Sequence, residues 1–184
     1  MAISTIGQNG LNAPLSLTSP ALGTPSALVL TNATGLPQAG LGTNVVGNGP
    51  AFYVTKSGSQ SITGNSTTKV TFDTKVFDTA SIFSTSTSVL TPTVAGYYLI
   101  NVILGFGAAS TSGQINLYKN GSLAMNAPPA SYNSNIGGQM VLTSLISVNG
   151  TTDYLEIYTY GPSTMTVSAS SQNTQFSGYL VRSA

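Results

Sequence analysis

Hydrophobic and polar residues alternate over short stretches of residues 51–184, and turn signals separate those stretches. The stretches are rich in Val, Ile, Thr, Tyr and Phe, which favour strands, whereas pairs such as Asn120-Gly121 and Gly161-Pro162 favour turns between them. Many short strands at this spacing predict an all-β sandwich or barrel. The predicted strands lie near residues 51–56, 68–73, 81–84, 87–91, 96–106, 113–119, 122–125, 139–148, 152–160, 164–169 and 175–182.

The longest of these strands is largely apolar on both of its faces. Successive side chains point to opposite faces of a strand, so we predict a core-facing side that consists of Tyr98, Ile100, Val102, Leu104 and Phe106. The opposite side carries Tyr97, Leu99 and Ile103, where a solvated strand would carry Thr, Ser and Lys. This pattern indicates a strand that is covered on both sides.

The predicted strand 152–160 has an aromatic outward side. Leu155 and Ile157 form its core-facing side, and the opposite side consists of Tyr154, Glu156, Tyr158 and Tyr160. Tyrosine is enriched at protein–protein contacts because its ring is amphipathic. We therefore hypothesise an oligomer interface that contains Tyr97, Leu99, Ile103, Tyr154, Tyr158 and Tyr160.

The first fifty residues contain neither a charged nor an aromatic residue, unlike the rest of the chain. Their prolines and scattered aliphatic residues favour neither a long helix nor an independent core. Two interpretations remain open, a flexible leader and an extended arm that lies on another surface. We favour the arm, because an uncharged segment with many leucines gains little from staying solvated. The predicted domains are thus an arm, residues 1–50, and a β domain, residues 51–184.

Within the arm, Leu28, Val29 and Leu30 form the densest apolar patch. These residues are the predicted attachment point, because the segment 27–31 could add a strand to an exposed sheet edge of a partner.

The composition excludes many kinds of chemistry. Charged residues make up 5% of the chain, the net charge is +1, and there is no Cys and no His. Disulfides, thiol nucleophiles, histidine-based triads and thiolate or imidazole zinc sites are therefore excluded. A near-neutral charge predicts no nucleic-acid partner and no anionic membrane. No apolar run reaches the roughly 20 residues of a membrane-spanning helix, and the first residues do not resemble a secretory signal, so we expect synthesis in a cytoplasm.

The acidic residues are Asp73, Asp78, Asp153 and Glu156. Asp153 and Glu156 are three residues apart on a predicted strand, so their side chains point to opposite faces. Asp73 and Asp78 flank a predicted turn, where they could bind a hard cation such as Ca²⁺ or satisfy turn amides; the second is the commoner role. No hydroxyl has an activating base, and no glycine-rich phosphate loop occurs. We predict no catalytic residue, metal or cofactor, and hence no enzyme.

A series of short motifs resembles the globular head of the C1q/TNF-like superfamily. Their order along the chain is Ala51-Phe52, Val70-Thr71-Phe72-Asp73, Phe77-Asp78, Thr91-Pro92, Ala95-Gly96-Tyr97-Tyr98, Leu117, Asn120-Gly121, Asp153-Tyr154-Leu155 and Gln175-Phe176-Ser177-Gly178-Tyr179-Leu180. The resemblance covers nearly all of residues 51–184 and implies a ten-stranded jelly-roll sandwich that assembles as a tight homotrimer. The family's Gly-Asp turn is replaced here by Asn149-Gly150-Thr151-Thr152-Asp153.

Residues 23–37 are similar to stretches that recur in structural proteins of tailed bacteriophages, and the chain has no Gly-X-Y stalk. Together, the two resemblances imply a virion protein. Our leading hypothesis is a trimeric capsid decoration (cement) protein on the virion surface, bound through its arm to the major capsid protein or another virion protein. The alternative is a receptor-binding tip or fibre protein that recognises a host surface glycan.

Overall fold

The computed structural model describes residues 49–107, 112–131, 138–169 and 172–184. These residues contain no helix, and they belong to one compact unit, Gly47–Ala184. The predicted attachment residues Leu28, Val29 and Leu30 lie outside the described residues. The strands are β1 (Ala51–Thr55), β2 (Gln60–Ile62), β3 (Thr68–Lys69), β4 (Thr74–Asp78), β5 (Phe83–Ser84), β6 (Val89–Leu90), β7 (Gly96–Phe106), β8 (Ser112–Lys119), β9 (Ser122–Asn126), β10 (Ala130–Ser131), β11 (Gly138–Val148), β12 (Leu155–Tyr160), β13 (Met165–Val167) and β14 (Gln175–Ser183).

The strands form two antiparallel sheets. Sheet I has β7 near its centre. The strands β14, β1 and β4 follow in that order on one side of β7, and β11 pairs with β7 on the other side. The short strands β13 and β2 extend the sheet at the end of β7. Sheet II has the order β10-β8-β12-β6-β5, while β9 also pairs with β8 and β3 with β12. Strand β11 packs beside β8, so the β11 edge of sheet I and the β9 edge of sheet II lie on the same side of the sandwich.

The core lies between the two sheets, as the alternation predicts. Tyr98, Ile100, Val102 and Leu104 are fully buried in β7, and so are Leu155 in β12 and Phe176 in β14. Aromatic rings from both sheets meet at the centre, where Phe176 lies edge-on to Phe52 at 4.9 Å and to Phe83 at 5.8 Å. Edge-to-face contacts of this kind add to the free energy gained from burial. The all-β jelly-roll prediction is confirmed.

Six of the predicted strands agree closely with the observed ones, and both buried and exposed strands are among them. β7 has the predicted bounds, and β1, β8, β9, β11 and β14 differ from prediction by one residue at an end. The prediction of a turn between Asp73 and Asp78 is wrong, because residues 74–78 form β4, which pairs with β1. β4 lies at the edge of sheet I and most of its residues are exposed, so its sequence lacks the alternation of a half-buried strand.

No helix within the described residues is long and apolar enough to cross a membrane.

Candidate functional site

Sheet I has a broad outer surface that points away from the core. The strand register aligns outward side chains in rows across β11, β7, β14 and β1. One row consists of Leu145, Leu99, Tyr179 and Ala51, and another begins with Val141 and Ile103. We call this surface the sheet I face, and define it by Ala51, Tyr97, Leu99, Ile103, Val141, Leu145 and Tyr179.

Most of the sheet I face is apolar and exposed to solvent. Val141, Leu145 and Tyr179 are 55%, 57% and 50% exposed, and Tyr97 is 44% exposed. Large apolar side chains that are exposed together on one surface mark an interaction surface, whereas single exposed ones are ordinary. Between these rows, Thr143 donates a hydrogen bond to the side-chain oxygen of Asn101 at 2.9 Å, which leaves that polar pair satisfied within the chain.

The sheet I face is concave near its middle. A depression of about 330 Å³ lies between the larger side chains Leu99, Tyr179 and Phe77, with Ala51 and Ser177 among its lining residues. A concave apolar surface can receive a protruding side chain from another molecule.

The edge of the sandwich next to the sheet I face is also apolar. All five residues of β9 are exposed, and they include Leu123 at 54% and Met125 at 42%. β9 lies at the edge of sheet II and pairs only with β8 among the described strands. An exposed edge strand with hydrophobic side chains invites contact with another chain.

The outer surface of sheet II has a different chemistry. Its outward residues on β8 and β12 are tyrosines, amides and one carboxylate. We call this set the tyrosine face: Gln114, Asn116, Tyr118, Glu156, Tyr158 and Tyr160. The rings of Tyr118 and Tyr158 lie 4.4 Å apart, and the Lys69 ammonium lies 2.6 Å from Oε1 of Glu156.

The hypothesised interface residues are thus divided between two surfaces. Tyr97, Leu99 and Ile103 lie on the sheet I face, whereas Tyr158 and Tyr160 lie on the outer side of sheet II, and Tyr154 directly precedes β12. Because the two outer surfaces of a sandwich point away from each other, one chain cannot join these groups into a single patch. Val141, Leu145 and Tyr179 were not predicted as interface residues, although the alternation along 139–148 was a usable signal for the first two.

Asp153 stabilises the turn between β11 and β12. Its carboxylate accepts hydrogen bonds from Nδ2 of Asn120 at 2.7 Å and from the amide of Asn149 at 2.8 Å, and lies 2.9 Å from the Lys119 ammonium. The hydrogen bonds from Asn120 and Lys119 lower the pKa of Asp153 to about 2. In return, Oδ1 of Asn149 accepts the amides of residues 151, 152 and 153, and Gly150 takes the left-handed conformation.

The other acidic residues also have partners within the chain. Asp73 accepts the backbone amide and hydroxyl of Ser57. Burial raises the pKa of Asp73, but these hydrogen bonds and those from Thr74 outweigh it, so the net shift is downward. Asp78 accepts the amides of Ile82 and Phe83, the role that turn carboxylates usually have. No three potential metal-ligating side chains cluster within the described part of the chain.

Comparison with known proteins agrees with this architecture. The family model of the C1q domain matches residues 51–181. The chain belongs to the C1q domain family. No curated protein gives a significant match to the sequence.

Solved structures share the fold of this C1q-family chain at low sequence identity. An Eiger TNF from S. frugiperda superposes with a TM-score of 0.62 at 10% identity, over 74% of this chain and 94% of its own. Murine APRIL gives 0.60 at 12% identity, over 73% of this chain and all of its own. The globular domain of zebrafish complement 1qA gives 0.51 at 16% identity, over 74% of this chain and all of its own.

Proposed function

We propose that this chain acts as a homotrimeric binding head, without catalysis, and that the sheet I face forms the contact between its copies. The observation that carries the proposal is the exposure of Val141, Leu145 and Tyr179 on the same side of sheet I. Burying apolar surface is favourable by about 25 cal/mol per Å², so a second copy is a natural cover. The trimer that the family resemblance implies supports the same arrangement.

The geometry of ring closure indicates which surface meets the sheet I face. Three copies around an axis require a contact between two different patches of the chain. Patches on opposite faces of a sandwich, such as the sheet I face and the tyrosine face, would stack copies in an open line. The β9 edge is adjacent to the sheet I face, so contact between these two surfaces can close a ring. Leu123 and Met125 of one copy would then cover the sheet I face of the next, and Tyr158 and Tyr160 on the tyrosine face would lie outside this contact.

A matched pair of variants tests this interface. Val141 on the sheet I face and Val76 on β4 are 55% and 54% exposed in the single chain, so each should accept Asp equally well there. We expect Val141→Asp to give monomers in light scattering, because the interface would bury the new carboxylate without a partner. Val76→Asp should leave the trimer intact. Equal masses for the two variants would contradict the proposal.

We further propose that the trimer is a capsid decoration protein on the surface of a phage virion, made in the host cytoplasm. The supporting observation is the sequence of residues 1–50, which is uncharged, rich in proline and dotted with aliphatic residues. Such a segment can lie on a capsid protein without desolvating ions, and fully extended it could span on the order of 150 Å at about 3.3 Å per residue. Arms that bridge neighbouring capsomers would add buried area and so oppose internal pressure.

Deletion of residues 1–50 tests the attachment. The core lies within the described residues of 51–184, so the truncated protein should fold and form trimers. We expect it to lose co-sedimentation with particles that lack this protein, while full-length protein binds them. Full occupancy by the truncated head would contradict attachment through the arm.

A receptor-binding tip is the second candidate function, and the chemistry of the tyrosine face favours it. A copy number of tens rather than hundreds per virion would support this candidate.

A further inference from the structure

The tyrosine face is built differently from an ordinary solvated sheet. Its side chains are ordered by contacts with one another and with the neighbouring strand β3. The Lys69 ammonium is paired with Glu156, and the Tyr160 hydroxyl donates a hydrogen bond to Oδ1 of Asn65 at 3.2 Å. The Tyr118 and Tyr158 rings are tilted by 41° at a centroid distance of 4.4 Å. Two tyrosine rings in contact therefore form a half-buried aromatic platform at the centre of sheet II.

Asn116 lies beside this platform with no hydrogen bond for its side-chain amide among the described residues. It is opposite Tyr158 on β12 and opposite Asn126 on β9. Asn116 is only 5% exposed. Its neighbours Ile115 and Leu117 point into the core, so its amide points outward toward the platform. A buried amide that lacks partners is costly, and buried polar groups are usually hydrogen-bonded. The Asn116 amide therefore has hydrogen-bonding groups that the described residues leave unused, on the side of the strand that carries the platform.

We propose that the tyrosine face binds a neutral oligosaccharide. A pyranose ring has a face of C–H groups that can lie on the Tyr118 and Tyr158 rings, and a rim of hydroxyls that can both donate to and accept from the Asn116 amide. The site has no uncompensated charge, because the ammonium of Lys69 already pairs with Glu156, which matches an uncharged ligand. The proposed trimer leaves the tyrosine face open, so sugar binding there does not depend on the interface on sheet I.

The contrast with the sheet I face argues against a protein as the occupant. The exposed large hydrophobic side chains of the described residues include Val141, Leu145 and Tyr179 on the sheet I face and Leu123 and Met125 on β9, but none on the tyrosine face. Protein interfaces bury apolar cores, whereas the tyrosine face offers half-buried rings and hydrogen-bonding groups. This combination suits a ligand that is itself half C–H surface and half hydroxyl.

Tyrosine fluorescence provides a direct measurement, because the chain has no Trp. The full-length protein would be titrated with neutral oligosaccharides of glucose, galactose, mannose and N-acetylglucosamine, and saturation-transfer NMR would identify the bound sugar protons. We expect saturable binding of at least one of these probes. Tyr158→Ala and Asn116→Ala should each weaken it by about tenfold or more. Tyr158→Phe should keep most of the affinity because it keeps the ring, and Gln139→Ala on sheet I should not change it.

Three other outcomes of these experiments would overturn the proposed sugar site. Binding that survives both Tyr158→Ala and Asn116→Ala would place the sugar elsewhere, and the absence of binding by every probe would refute the ligand class. Loss of co-sedimentation with particles in Tyr158→Ala would show that a protein occupies this face. Light scattering on each variant separates these results from a failure of the proposed trimer, since a trimer that binds no sugar refutes only the sugar site.

Discussion

The two outer surfaces of this sandwich have similar alternation along their strands but different relations to solvent. On the sheet I face, aliphatic residues such as Val141 and Leu145 are more than half exposed and have no cover. On the tyrosine face, the aromatic residues Tyr118 and Tyr158 are half-buried and their rings contact one another. An outward side that lacks ordinary solvated residues thus fits either assembly with another copy or binding of a ligand. Exposed apolar side chains without partners favour assembly, whereas half-buried rings beside hydrogen-bonding groups favour a ligand.

The largest expected effect distinguishes the inner and outer sides of one strand. Phe176→Ala removes a fully buried ring of β14 and should cost about 3–5 kcal/mol of the free energy of unfolding. Tyr179→Ala, three residues further on, lies on the sheet I face and should change protomer stability by less than about 1 kcal/mol while it weakens the trimer. Denaturant unfolding at fixed protomer concentration, combined with light scattering, measures both. If Phe176→Ala and Tyr179→Ala lost equal stability and the Tyr179→Ala protein stayed trimeric, the two sides of β14 would not differ as we predict.

The next largest expected effect is a loss of stability at low pH, which arises from the turn between β11 of sheet I and β12 of sheet II. Asp153 has a folded-state pKa of about 2, below its ordinary value of 3.8. Its contribution to stability is therefore complete above about pH 4 and is lost as the pH falls toward 2. Asp73 and Asp78, whose pKa values are also lowered, act in the same direction.

The variant Asp153→Asn isolates the contribution of this carboxylate. It should lower the melting temperature at pH 7 and make the fall in melting temperature between pH 5 and pH 3 less steep, since one of the responsible groups no longer titrates. An unchanged slope in this variant would show that the hydrogen bonds of Asp153 do not couple to folding.

The smallest expected effect compares the central asparagines of the two faces. Asn101 accepts a hydrogen bond from Thr143, whereas the Asn116 amide has no partner among the described residues. Asn116→Val should therefore raise the free energy of unfolding by about 1 kcal/mol, and Asn101→Val should lower it by a similar amount. Both changes should be made in the Val141→Asp background, so that folding of the single chain is measured. Destabilisation by Asn116→Val would show that the amide is satisfied within the chain.

The longest strands of the fold were predictable from the sequence, whereas the three-residue strand β2 was not predicted although its Ile62 is fully buried. β7 was predicted with its observed bounds because Tyr98, Ile100 and Val102 alternate with their neighbours without interruption. β4 was missed because an exposed edge strand has no buried side to produce alternation. β12 begins three residues later than predicted, since Asp153 and Tyr154 are held by Asn120 instead of by a neighbouring strand.

The candidate surfaces were predictable only in part. Tyr97, Leu99 and Ile103 could be found because they share one strand. Their neighbours Leu145 and Tyr179 come from β11 and β14, and only the strand register places them beside Leu99. Tyr158 and Tyr160 are separated from the sheet I face because β12 belongs to sheet II. The pattern of a single strand does not encode the sheet to which that strand belongs. The lack of a partner for Asn116 depends on the positions of side chains from three strands.

The mass of the full-length protein in solution tests the central claim most directly. Light scattering across a dilution from the micromolar to the nanomolar range should give three times the 18.7 kDa of one chain, because an interface of this apolar kind resists dilution. Val76→Asp should give the same mass and Val141→Asp the mass of one chain. A monomeric full-length protein at micromolar concentration, or a trimer that persists in Val141→Asp, would contradict the account.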